Sequence, residues 1–252
     1  MSTPDFTSRE ELFARTGHNP WVRLTPPSDS VAGYERDGAL AWFVDGPRGR
    51  WGGTFGGPDR TVPLVLDLLR AGVLDGLREV HFERTPIHRL AELRPDRHDD
   101  WDVLWTAAEP RSPAAEARVE ELGAGDAADI ESVLDASLPG SHNRPGNPRI
   151  HQWYGIRDAG RLVAVGADRS RAGVMGYVVA VAVLPEHQGA GLGGAITAAI
   201  TRRLLRAYRH VALGVLASNH PARRLYDWLG FTDGIALTSI RIEDGQPTAP
   251  AG

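Results

Sequence analysis

Hydrophobic positions in the second half of the chain alternate between a two-residue and a 3.6-residue rhythm, the periods of strand and helix. Arg118–Leu122 reads as a short strand. Asp126 then stands as the N-cap of a helix whose Ile130, Val133, Leu134 and Leu138 share one face. A loop rich in Pro, Gly, Asn and His follows over Pro139–Pro148. Trp153–Arg157 and Arg161–Ala167 flank Asp158-Ala159-Gly160, a three-residue hairpin connection in which Gly160 can take φ > 0. Gly176–Leu184 is apolar on both faces, which predicts a central strand buried on both sides. A helix over Leu192–Arg209 turns Ile196, Ile200 and Leu204 to the core and Arg202, Arg206 and Arg209 away from it. Val211–Leu216 is a strand, Pro221–Leu229 a short helix ended by Gly230, and Ile235–Ile242 a last strand.

The first half echoes this plan. Ala39–Val44 and Arg50–Thr54 are strands around a Gly/Pro turn, Val62–Ala71 is an amphipathic helix, and Val80–Phe82 and Trp101–Trp105 are strands. No residue-level repeat accompanies the echo. Thr106–Glu116 is rich in Ala and Pro, lacks apolar periodicity and reads as the linker. The chain therefore divides into a domain over 1–113, a second over 114–244, and a disordered tail over 245–252.

Composition narrows the classes. Of 252 residues, 42% are hydrophobic and 24% charged, ordinary for a globular protein with a core. The net charge of −4 gives no basic field for nucleic acid or an anionic membrane. All 28 basic residues are Arg, so the lysine that a P-loop needs is missing. Cysteine is absent, which removes disulfides, thiolate-bound metals and a thiol nucleophile, and no metal cofactor is expected. The start lacks the pattern of a signal peptide, and the longest apolar run, Tyr177–Leu184, is far short of the roughly 20 residues of a membrane span. The expectation is a cytoplasmic enzyme.

The segment most charged with chemistry is Gln188-Gly189-Ala190-Gly191-Leu192-Gly193-Gly194, between the central strand and a helix. Such a turn brings backbone N–H groups close to a phosphate, and the helix N-terminus adds roughly half a positive charge. The first helical turn holds no acidic residue to compete. Gly189, Gly191 and Gly194 also satisfy the dinucleotide pattern G-x-G-x-x-G. That reading expects an acid at the end of the next strand, where Ala217-Ser218-Asn219 stands instead. A turn that merely packs a helix on a strand is the third reading.

The loop does not stand alone. Val183, Pro185, Gln188, Gly191 and Gly193 form V-x-P-x-x-Q-x-x-G-x-G, and Asn219, Ala222, Tyr226, Gly230 and Phe231 form N-x-x-A-x-x-x-Y-x-x-x-G-F. Together they resemble the two signatures of the GCN5-related N-acetyltransferase (GNAT) superfamily, over about Ala117 to Asp244. The resemblance implies an α+β, three-layer fold: a mixed, largely antiparallel sheet with splayed central strands, flanked by helices and preceded by a second, smaller α/β domain. It implies acetyl-CoA or another acyl-CoA as co-substrate. The pantetheine arm would pair with the backbone of Val181, Ala182 and Val183. The pyrophosphate would lie on the N–H groups of Gln188, Gly189, Ala190, Gly191, Leu192, Gly193 and Gly194. Asn219 would meet the pantetheine or a catalytic water. Tyr226 would meet the thioester sulfur and act as general acid.

One departure stands out. The family often carries a glutamate on the central strand as base, and Tyr177 and Val179 occupy that stretch here. Tyr177, His142 and Trp153 are candidates for the acceptor site; His151 and Tyr154 are further ones. Glu186 and His187 read as solvated. In the first half, Phe55-Gly56-Gly57-Pro58-Asp59 stands at the corresponding junction, where Asp59 would repel a phosphate and Pro58 removes a donor. If this half is GNAT-like, it is a degenerate copy; two-part chains of this kind resemble tandem GNAT proteins and the glycine N-acyltransferase-like group.

The function these features imply is an N-acetyltransferase acting directly on a primary amine of a small molecule, such as an amino acid, a polyamine or an aminoglycoside-like metabolite. A peptide N-terminus stays open as acceptor, and the chain is expected as monomer or homodimer. The alternatives are an inactive acyl-CoA-binding sensor and a nicotinamide-dependent oxidoreductase.

Overall fold

The computed structural model describes residues 3–25, 28–46, 49–171 and 173–242, so the expected tail over 245–252 lies outside the described residues. The chain forms two compact units. The first takes the described residues of Met1–Val103, Leu216–Ser218 and Ile235–Gly252, and the second those of Leu104–Val215 and Asn219–Gly234. The expected cut at 113 and the assignment of the last strand to the second domain therefore differ from these units.

Unit 1 opens with β1 (Phe6–Ser8), α1 (Arg9–Arg15) and α2 (Pro20–Leu24), none of them expected from the sequence. Ser8 starts α1 through a reciprocal cap. Its hydroxyl accepts from the Glu11 N–H, and the Glu11 carboxylate accepts from the Ser8 N–H, each at 3.2 Å. There follow β2 (Ser30–Arg36), β3 (Ala39–Gly46), β4 (Gly49–Phe55), α3 (Pro58–Arg70), β5 (Leu77–Glu83) and β6 (Arg97–Thr106), with β12 (Asp233–Arg241) coming from the chain's end. β1 to β4 run antiparallel to one another, β4 and β5 are parallel, and β5 and β12 antiparallel. Val62, Val65, Leu68 and Leu69 of α3 bury against a core that includes Phe43, Val80 and Phe82. This apolar face is what holds the helix on the sheet.

Unit 2 holds β7 (Glu120–Leu122), α4 (Ala127–Ser137), β8 (Gln152–Asp158), β9 (Arg161–Asp168), β10 (Gly176–Val183), α5 (Leu192–Leu204), β11 (Val211–Leu216) and α6 (His220–Leu229). Its strand order is β11-β10-β9-β8-β7. The β7, β8, β9 and β10 pairs are antiparallel, and β10 and β11 are parallel. A mixed, largely antiparallel sheet flanked by helices is thus present, as expected. The order strand, strand, strand, helix, parallel strand recurs as β2-β3-β4-α3-β5 and β8-β9-β10-α5-β11.

Several local expectations are corrected. Asp126 occupies the N-cap position of α4 but does not cap it, because its carboxylate turns to the Gly123 N–H at 2.7 Å and to Arg157. Leu138 lies beyond α4 and is 39% exposed, so the buried face ends at Leu134. The hairpin turn has two residues, since Asp158 pairs with Arg161. Ala159 and Gly160 both take positive φ, 47° and 83°, as a primed turn requires. α5 ends at Leu204 rather than Arg209; Tyr208 closes its end by donating to the Leu204 carbonyl at 2.9 Å.

Candidate functional site

The site begins with a fault in the β10 ladder. Val179 pairs with Ala167 of β9, but Val165 pairs with Ala182, so Ala180 and Val181 together oppose Gly166. This is a β-bulge. Ala180 takes φ 54°, a left-handed conformation that costs a non-glycine residue roughly 1–2 kcal/mol. On the other side, β10 pairs with β11 only from Gly176 to Val178. The two strands part where the bulge starts, as the splayed arrangement requires. The parting corrects one expectation: β10 is not sealed on both faces, because Tyr177, Val181 and Val183 are only half-buried.

Strand alternation says which groups face the opening. The Leu184 N–H donates to the Val163 carbonyl on the β9 side, at 2.9 Å. The N–H groups of Val183 and Val181 therefore point to the opposite edge, while that of Ala182 points to β9. One group on the open edge is already engaged, since the Gln188 side-chain amide donates to the Val183 carbonyl at 3.2 Å.

From the opening the chain runs through a short 3-10 turn, Pro185–His187, into the glycine loop. Gly189 and Gly191 take φ 81° and 75°, values that L side chains rarely adopt. Gly191 is the N-cap of α5, and no side chain caps that end. The Gln188 N–H closes onto the Pro185 carbonyl at 3.3 Å. The N–H groups of Gly189, Ala190, Gly191, Leu192, Gly193 and Gly194 meet no acceptor among the described residues. A 13-residue helix thus presents a bare N-terminus at an exposed, acid-free loop. That is a fit for an anionic, phosphate-like group. The missing side chain of Gly194 also serves packing: a Cβ there would lie 3.0 Å from Leu225 of α6.

Tyr226 and Asn219 sit on α6. The Asn219 side-chain oxygen accepts from the Ala222 N–H at 3.2 Å and so caps the helix. Tyr226 is buried, 8% exposed, with its ring 6.2 Å from that of Phe231. Its hydroxyl has no hydrogen-bond partner among the described residues, and burial pushes the phenol up to about 12. It keeps its proton at any ordinary pH.

The other candidates are dispersed. His142 is exposed in the loop after α4. The His151 Nε2 is engaged with the Ser170 carbonyl at 2.8 Å. Trp153 is buried in the core of β8 beside Leu122. Tyr154 lies under the Arg203 guanidinium at 5.2 Å. Glu186 and His187 are tied rather than free, to Arg161 at 2.9 Å and Asp158 at 3.5 Å. Sequence reading missed the Ala180 bulge, which an alanine in a strand does not announce. It also missed Arg169, whose guanidinium stacks 5.3 Å from the Tyr177 ring centroid.

The corresponding junction in unit 1 is closed. At the start of α3 the Gly57 N–H donates to the carboxylate of Glu83, and Asp59 pairs with Arg89 at 2.8 Å. A carboxylate of the chain itself takes the place that an anion would need.

Solved structures share this fold. A GNAT-family protein from Novosphingobium aromaticivorans matches at 24% identity and TM-score 0.53, over 79% of this chain and 86% of that one. An acetyltransferase of the GNAT family from Colwellia psychrerythraea matches at 11% identity and TM-score 0.54, over 84% and 85%. A GCN5-related N-acetyltransferase from Kribbella flavida matches at 14% identity and TM-score 0.51, over 87% and 90%. No curated protein matches the sequence. The chain has the fold of the GNAT superfamily. More narrowly, residues 153–239, from β8 into β12, match the FR47-like protein family.

Proposed function

We propose that unit 2 is an acyl-CoA-dependent N-acyltransferase that transfers an acetyl group directly to a primary amine of a small molecule. The observation that carries this is the continuity of the Ala180 bulge, the parted β10 edge and the bare α5 N-terminus. A flexible arm ending in a thioester, with a pyrophosphate at its other end, fits such a path. The nicotinamide reading gains nothing from it, because a dinucleotide fold needs a parallel sheet and β7 to β10 are antiparallel.

Each group then has a task. The N–H groups of Gly189 to Gly194 hold the pyrophosphate. The Val181 N–H, on the open edge, donates to the oxyanion that develops on the thioester carbonyl. The neutral amine nitrogen bonds to that carbon, the carbon–sulfur bond breaks with its electron pair going to sulfur, and the proton that the nitrogen gives up passes to solvent water. Tyr226 donates a hydrogen bond to the departing sulfur. With a phenol near 12 against a thiol near 8.5, full proton transfer is uphill, so stabilisation by the hydrogen bond is the larger part of its role. The chain has no Cys, which favours transfer within a ternary complex over a thioester-linked enzyme. Unit 1 is proposed as a degenerate copy whose own anion position Glu83 fills.

A second reading is an acyl-CoA sensor without turnover. The use of the Asn219 oxygen as a helix cap favours it. A thiol-release assay with acetyl-CoA over a panel of amines separates the two. Turnover of at least one amine supports the enzyme; saturable binding without thiol release on any amine supports the sensor.

A further inference from the structure

The face of β10 turned away from α5 carries a feature that donor binding leaves unused. The Cα–Cβ direction at Gly176 points to Leu204 of α5, so alternation turns Tyr177 to the opposite face. Arg169 stacks on the Tyr177 ring and donates to the Asn143 side-chain oxygen at 2.9 Å. Its backbone N–H donates to the Tyr177 carbonyl, also at 2.9 Å, which pins the residue to the strand. Arg169 is half-buried and has no ion pair among the described residues.

The carboxylates of α4 beside Arg144 and of the preceding residue, Asp168, are committed elsewhere. Glu131 and Asp135 of α4 both pair with Arg144, each at 2.6 Å. Asp168 accepts from the Ser170 N–H at 2.7 Å. The Tyr177 hydroxyl likewise has no partner among the described residues. Burial pushes its phenol up, with Arg169 and Arg171 opposing, so it stands as a proton donor. A guanidinium held by a neutral amide and a ring, half out of water, retains an unmet demand for an anion. Planar guanidinium N–H groups beside a phenol O–H suit a carboxylate.

We propose that Arg169 and Tyr177 bind a carboxylate of the acceptor, which makes the acceptor an amine that also bears a carboxylate, such as an amino acid. This rests on the acyltransferase reading and narrows it, since a polyamine or an aminoglycoside would meet Arg169 as a like charge.

The test uses the full chain and acetyl-CoA. Acetyl-CoA binding is measured first by calorimetry. Thiol release is then followed with the common amino acids, each beside its decarboxylated amine, and with spermidine. The expected result is turnover of carboxylate-bearing amines at kcat/KM at least about tenfold above their decarboxylated partners. Arg169→Gln should raise KM for the preferred acceptor on the order of 10–100-fold, the scale of a lost charge-assisted hydrogen bond. Arg169→Lys should restore part of this, and the Kd for acetyl-CoA should be unchanged in both variants. A preference for decarboxylated amines or spermidine overturns the proposal, as does acetyl-CoA binding with no turnover of any carboxylate-bearing amine, or an Arg169→Gln KM equal to that of the wild type. Absence of acetyl-CoA binding sinks the acyltransferase reading itself, a result the calorimetry reports separately.

Discussion

Val178 and Leu213 are the last residues at which β10 and β11 pair before the strands part. Two residues later Ala180 sits in a left-handed conformation, so the opening and the bulge are one distortion of one strand. Glycine at that position removes the strain and a β-branched residue increases it. Ala180→Gly should leave stability within about 1 kcal/mol or raise it, and Ala180→Val should lower it by about 2 kcal/mol. Urea unfolding of both variants reads the difference.

Gly191 links the loop to the helix. It is the uncapped N-cap of α5, at φ 75°, so an acidic side chain there would itself take the place of a bound anion. Gly191→Asp puts a negative charge among the N–H groups proposed for the pyrophosphate. Acetyl-CoA affinity should fall at least about tenfold, with the circular dichroism spectrum retained.

Tyr226→Phe should lower kcat on the order of 100-fold and leave KM for acetyl-CoA nearly unchanged. The wild-type rate should show no alkaline fall from this phenol below about pH 10, because the folded group titrates near 12. Stability carries the same signature. The unfolded phenol loses its proton near pH 10 and the folded one near 12. The native state thus holds more protons between these values. The contribution is complete below pH 10 and is lost as pH rises to 12, by about 3 kcal/mol. Chemical denaturation of wild type and Tyr226→Phe across pH 9–11 should show a fall that the variant lacks.

Asn219 has two assignments that a single substitution tells apart. Asn219→Ala removes the cap on α6 and should cost about 1 kcal/mol of stability. Asn219→Ser keeps a capping oxygen and loses the amide. A normal kcat in the serine variant makes Asn219 a cap alone; a fall of tenfold or more gives it a place in the reaction.

Glu83→Gln tests the closed junction of unit 1. The carboxylate accepts from the Gly57 N–H at the start of α3, where a negative charge is favoured. Its loss should lower stability by about 1–2 kcal/mol and leave the acetyl-CoA affinity as it was.

Much of unit 2 was legible because its signals are local. The apolar run from Gly176, the glycines after Gln188 and the stop at Gly230 each name a strand, a turn or a helix end. The bulge was not legible, because Ala180 has no preference for the left-handed region that tertiary pairing imposes on it. The Asn219 cap competes with a catalytic reading that the motif alone suggests. In unit 1, Ser8-Arg9-Glu10-Glu11 spells a capping box that would have located α1 had it been read. No local signal pairs the last strand with β5, since that contact joins residues more than 150 positions apart. Arg169 is one arginine among 28, and only the fold sets it over Tyr177 without a counter-ion among the described residues.

The proposed acyltransferase requires that Gly189 to Gly194 receive the pyrophosphate of an acyl-CoA. Calorimetric titration of the full chain with acetyl-CoA, beside NADH and beside Gly191→Asp, tests it most directly. The predicted result is one saturable acetyl-CoA site, a flat NADH trace, and affinity lost at least about tenfold in the variant. Equal acetyl-CoA affinity in wild type and Gly191→Asp, or saturable NADH binding with none for acetyl-CoA, would contradict it.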